Sequence, residues 1–127
     1  MLGKVLICDD SMLVRKKLRT LVEDCGFWVV EAQNGRLGVT HYEKELPDIV
    51  LMDIVMPELT GLEALAEIRK IDPKALVVMI SSSGTSSKLI EALKQGAVDF
   101  VQKPFEAEQI KEMLLRLIAQ KKGENHV

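Results

Sequence analysis

The chain has 127 residues, of which 47% are hydrophobic and 28% charged, with 17 Lys and Arg against 19 Asp and Glu for a formal net charge of -2. That length suits one domain that buries a core without disulfides or a structural metal. The near balance of charge leaves no footprint for nucleic acid and no polybasic patch for a membrane surface, and the longest apolar runs are only of strand length, so no membrane insertion is expected.

Along the chain, apolar runs alternate with segments of helical period. Strands are expected at Lys4–Cys8, Trp28–Ala32, Asp48–Met52, Ala75–Ile80 and Asp99–Val101. The alternation implies an α/β fold, a parallel sheet with helices on both faces. The first helix follows the stripe Val14, Leu18, Leu21, Val22 and Cys25, with Ser11 placed to cap it and Gly26 to stop it. Asn34-Gly35 precedes the second helix, Pro57 and Gly61 the third, and Gly96 follows the fourth. In the last helix Ile110, Met113, Leu114, Leu117 and Ile118 keep a core-facing spacing. The expected division is a domain over residues 1–120 and a polar tail over 121–127, Lys121 to Val127, that frays. Trp28 is expected to cover the sheet, His41 to lie on a helix surface and His126 in the tail. Cys8 and Cys25 show no C-x-x-C or zinc spacing and read as free thiols of a reducing cytoplasm.

The chemistry gathers at strand ends. Asp9-Asp10 close the run Val5-Leu6-Ile7-Cys8, and Asp53 closes Ile49-Val50-Leu51-Met52, so three carboxylates should converge at the carboxyl edge of one sheet. Their mutual repulsion makes sense around a hard divalent cation, and Mg²⁺ takes one or two carboxylates, waters and a phosphate oxygen. Ser81 follows Leu76-Val77-Val78-Met79-Ile80, and Lys103-Pro104 follows the last strand. Singly, each acid could be a turn residue or a helix N-terminal charge, and the run Ser81-Ser82-Ser83-Gly84-Thr85-Ser86-Ser87 a flexible loop and cap. Their joint occurrence in this order points to a metal-dependent phosphoryl-acceptor site.

Over essentially its whole length the chain resembles a response-regulator receiver domain of the CheY-like family. The resemblance rests on Val-Leu-Ile-Cys-Asp-Asp-Ser at 5–11, Pro-Asp-Ile-Val-Leu-Met-Asp-Ile-Val-Met-Pro at 47–57, Gly61, Ser81, and Gly-Ala-Val-Asp-Phe-Val-Gln-Lys-Pro-Phe at 96–105. It implies a flavodoxin-like, doubly wound sheet of five strands in the order 2-1-3-4-5, with five helices. It makes Asp53 the acceptor of a phosphoryl group from a sensor histidine kinase. Asp10 and Asp53 would bind Mg²⁺, with Mn²⁺ as a substitute, Asp9 would bind it directly or through water, and the backbone carbonyl of Val55 would complete the set. Lys103 would pair with the carboxylates and then the phosphoryl group, aimed by a cis bond to Pro104. Ser81 and Phe100 would form the switch, Phe100 standing where Tyr is common, and Val55 and Ser83 would flank the route of hydrolytic water. Ser82 stands where a small residue, often Ala, is usual.

The resulting expectation is a cytoplasmic, monomeric phosphoacceptor switch rather than an enzyme acting on other substrates. Its output would be a protein such as a flagellar switch component, in chemotaxis, or alternatively a histidine phosphotransfer protein in a phosphorelay. A flavodoxin-like electron carrier would share the fold, but Asp9-Asp10 would repel its phosphate. An aspartyl phosphohydrolase would need Asp-x-Asp after the first strand, and a dinucleotide enzyme a G-x-G-x-x-G.

Overall fold

The computed structural model describes residues 1–82 and 86–125. Five strands and five helices alternate: β1 Lys4–Cys8, α1 Met12–Asp24, β2 Trp28–Ala32, α2 Gly35–Glu45, β3 Ile49–Asp53, α3 Gly61–Ile71, β4 Val77–Ser81, α4 Ser86–Lys94, β5 Asp99–Gln102 and α5 Ala107–Asn125. All strand pairs are parallel, in the order β2-β1-β3-β4-β5. The apolar runs explain this. β1, β3 and β4 are buried on both faces, as strands between two helical layers must be.

The two faces carry separate cores. On one, Val5, Ile7, Ile49, Leu51, Val78 and Ile80 pack with Leu18 and Val22 of α1 and with Ile110, Met113, Leu114, Leu117 and Ile118 of α5. On the other, Leu6, Val50, Met52 and Met79 pack with Val39 and Tyr42 of α2 and with Ala64, Leu65 and Ile68 of α3. The period of two within each strand sends neighbouring residues to opposite cores. Caps set the helix ends: Ser11 accepts from the Val14 N–H at 3.3 Å, and Gly26 leaves α1 at a φ of 96° that a side chain would resist.

Two expectations need correction. β3 and β4 end one residue later than the apolar runs, because the pairs Asp53↔Ile80 and Ser81↔Gln102 carry the ladder through the polar residues themselves. Trp28 does not cover the sheet. It opens the edge strand β2 and is 56% exposed, while the preceding Phe27 fills the core. α5 runs on to Asn125 through the stretch expected as a polar tail, and Lys121 Nζ donates to Asp48 Oδ1 at 2.6 Å. His126 and Val127 lie outside the described residues.

Candidate functional site

The register brings the polar residues together. Cys8 pairs with Met52, so Asp9, one residue past β1, stands beside Asp53 at the end of β3. Ser81 ends β4 opposite Gln102, and its carbonyl accepts the Lys103 N–H at 2.6 Å. Four strands thus deliver a carboxylate, a carboxylate, a hydroxyl and an ammonium to one sheet edge, beside the β1–β3 boundary where the winding direction reverses.

Oxygens of Asp9, Asp10 and Asp53 lie within 4.8 Å of one another. Asp9 and Asp53 are buried, whereas Asp10 is exposed. Lys103 Nζ donates to Asp9 Oδ2 at 3.0 Å and to Asp53 Oδ2 at 3.5 Å. Asp9 Oδ1 accepts the Ser11 N–H at 2.9 Å, which ties the acid to the start of α1. Both Asp9 oxygens are thus engaged by protein donors.

Burial and then the charge of Asp9 push the Asp53 carboxyl up to about 6, against the opposing pull of Lys103 and of the Val55 N–H that donates to it. Lys103 is held above its ordinary value: burial works against its charge, but the bond to Asp9 and the charges of Asp53 and Asp9 outweigh it. One ammonium facing three acids leaves a deficit of positive charge. An all-oxygen cluster with that deficit fits a hard divalent cation such as Mg²⁺.

Ser81 supplies a second sign of a ligand. Its Oγ is buried and has no hydrogen-bond partner among the described residues. A buried hydroxyl left without a partner is uncommon, and a bound oxyanion would satisfy it. The Lys103-Pro104 peptide is cis. Val55 exposes 56% of its surface next to Asp53, and Phe100 on β5 is 43% exposed, its ring outside the core. Ser83 lies outside the described residues.

Gly61 shows how the local fold serves the site. A Cβ there would overlap the carbonyl oxygen of Asp53 and meet the Ile54 Cα at 2.8 Å, so only glycine lets α3 start against the end of β3. The Gly61 N–H donates to the Ile54 carbonyl at 2.8 Å and closes the loop after Asp53.

The response regulator receiver domain family matches residues 5–115. The chain belongs to this family. Similar proteins include the chemotaxis protein CheY of Listeria monocytogenes, 47% identical over 112 residues that cover 87% of this chain and 94% of the relative. The chemotaxis protein CheY of Thermotoga maritima is 45% identical over 112 residues, covering 87% and 93%. A crystal structure of a response regulator receiver domain protein from Clostridium thermocellum superposes with a TM-score of 0.91 at 30% identity, covering 94% of this chain and 97% of that one. The receiver fold and its strand order are those the resemblance implied. Among the described residues no helix is long and apolar enough to cross a membrane.

Around this receiver site, sequence reasoning overlooked a capping box. Thr60 Oγ1 accepts the Glu63 N–H at 3.2 Å, and Glu63 Oε1 accepts the Thr60 N–H at 3.1 Å. The T-x-x-E spacing before an apolar run was the available signal.

Proposed function

We propose that this receiver is a phosphorylation switch in which Asp53 accepts a phosphoryl group from the phosphohistidine of a sensor histidine kinase. One observation carries the reading: a buried Asp53 within 4.8 Å of two further carboxylates, with Lys103 bridging two of the three. An Asp53 oxygen attacks phosphorus in line, a P–O bond forms, the P–N bond of the donor breaks, and the imidazole leaves with its electron pair and takes up a proton. Mg²⁺, when bound by Asp10 and Asp53 with Asp9 and the Val55 carbonyl assisting, supplies charge neutralisation of the transferred oxygens. Lys103 then follows the charge from the carboxylates to the phosphoryl group. Asp9 holds Lys103 in place meanwhile.

Ser81, without a partner among the described residues, donates to a phosphoryl oxygen, and Phe100 turns from its exposed position into the space the hydroxyl leaves. Phosphorylation thereby shifts a population between two states of the surface of α4, β5 and α5. The protein is, on this reading, a cytoplasmic phosphoacceptor that catalyses only its own phosphorylation and dephosphorylation. Similarity to chemotaxis proteins over nine-tenths of their length favours an output on a flagellar switch component over transfer to a histidine phosphotransfer protein. Immobilised protein, with and without acetyl phosphate and Mg²⁺, offered separately to a purified flagellar switch protein and a purified histidine phosphotransfer protein tests this. Phosphorylation-dependent capture of the first is expected, and loss of label to the second would overturn the chemotaxis assignment.

A further inference from the structure

Arg15, in the first turn of α1, is a largely buried cation, its side chain 12% exposed. Its guanidinium bonds in two directions: Nε donates to Glu31 Oε1 at 3.1 Å, and Nη1 to the main-chain oxygen of Asp9 at 2.8 Å. Glu31 is braced from its other side, Oε2 accepting from Arg19 Nη1 at 2.6 Å, and its backbone is fixed to β1 through the pair Ile7↔Glu31. Arg15 is therefore a planar fork anchored on β2 that grips the peptide between Asp9 and Asp10.

The remainder of Asp9 is pinned independently. Its N–H donates to the Ala32 carbonyl at 3.1 Å, and its two carboxylate oxygens accept from Ser11 and Lys103 at 2.9 and 3.0 Å. The peptide plane that follows sets the direction in which Asp10 leaves the main chain. Asp10 is exposed and shares a 4.8 Å cluster with two like charges, so repulsion drives it toward water. Among the described residues, Arg15 is the side chain that holds this plane.

We infer that Arg15 is a positioning residue for the ion site: by clamping the Asp9 carbonyl it keeps Asp10 facing Asp53 against repulsion. The inference rests on the proposed reading of Asp9, Asp10 and Asp53 as a Mg²⁺ site. Charge and position predict opposite signs, which makes the role separable. As a nearby cation alone, Arg15 would weaken Mg²⁺ binding, and its removal would tighten it. As a clamp, its removal loosens binding by roughly tenfold or more, the scale on which partners of metal ligands act.

Calorimetric titration of the full chain with Mg²⁺ alone, without phosphodonor, tests this for wild type, Arg15→Ala, Arg15→Lys and Arg19→Ala, with melts in EDTA to report folding. Arg15→Ala is expected to raise the Kd about tenfold. Arg15→Lys, which keeps charge and stem but cannot hold two acceptors in a fork, should raise it about as much, so the result survives if the alanine variant fails to fold. Arg19→Ala removes the same charge from Glu31 without touching Asp9 and should stay within about twofold. In acetyl phosphate reactions the Mg²⁺ concentration for half-maximal rate should rise in the Arg15 variants while the plateau stays within about twofold. An unchanged or lower Kd in both Arg15 variants overturns the inference alone, and a wild type that takes up no Mg²⁺ overturns the parent reading with it.

Discussion

Lys103 Nζ and Asp9 Oδ2, 94 positions apart in sequence, are joined by a 3.0 Å hydrogen bond at the sheet edge. Lys103 Nζ also donates to Asp53 Oδ2, at the longer distance of 3.5 Å, so the ammonium bridges the two acids with its shorter bond to Asp9. Lys103→Ala should leave a buried carboxylate without its cation, at a cost of about 2 kcal/mol at neutral pH in EDTA. Phosphorylation of Asp53 should slow as well. Denaturant melts and acetyl phosphate kinetics check the two effects, and an alanine variant as stable and as fast as wild type would remove Lys103 from the site.

The raised Asp53 carboxyl carries a stability consequence in the metal-free protein. Its folded value of about 6 exceeds the ordinary 3.8, so between them the folded state holds more protons than the unfolded chain, and stability falls as pH rises through that window. Above about pH 6 the loss is complete. Asp53→Asn should therefore be the more stable protein at pH 7 in EDTA, by roughly 2 kcal/mol, with the advantage vanishing below about pH 4. Thermal melts at pH 4 and pH 7 decide it, and equal melting points at pH 7 would contradict the assignment of strain to this carboxylate.

Gly61→Ala places a methyl against the main chain of Asp53 and Ile54, where no flexible side chain yields. A loss of about 1–3 kcal/mol is expected, together with slower phosphorylation because the acceptor's own peptide must shift. Chemical unfolding and the rate with acetyl phosphate measure both; a neutral substitution would show that α3 approaches β3 less closely than the geometry requires.

The lifetime of the phosphorylated state should depend on Val55, two residues after Asp53, whose exposed apolar side chain cannot orient water. Val55→Asn should change autodephosphorylation severalfold while leaving Mg²⁺ affinity largely intact, since the metal would use only the Val55 carbonyl. Decay of the phosphorylated mass after donor removal reads this, and equal rates in the two proteins would rule the position out.

The site was legible where chemistry sits on strand ends. The runs before Asp9, Asp53 and Ser81 were anticipated from motif and order, because a parallel sheet has one carboxyl edge and short strands leave little room for misplacement, and the cis bond at Lys103-Pro104 from the family resemblance. Strand limits drifted by a residue where hydrogen bonding extends through polar positions that hydropathy marks as ends. Trp28 was misread because two adjacent aromatic residues do not announce which of them turns inward, and Phe27, one residue earlier, took the core place. Residues 121–125 looked like a tail because a polar helix end has no apolar period, and the Asp48–Lys121 contact that helps hold it spans 73 positions. The Arg15–Glu31 pair was invisible for the same reason: nothing local announces a bond between a helix and a strand 16 positions away.

Intact-mass analysis during incubation with acetyl phosphate and Mg²⁺ tests the central claim most directly. Wild type should gain a single phosphoryl group, Asp53→Asn should gain none, Asp10→Asn should react far more slowly, and EDTA should abolish the reaction in every case. Phosphorylation of Asp53→Asn at the wild-type rate, or a wild-type reaction indifferent to EDTA, would contradict the account of Asp53 as the acceptor in a metal-dependent receiver.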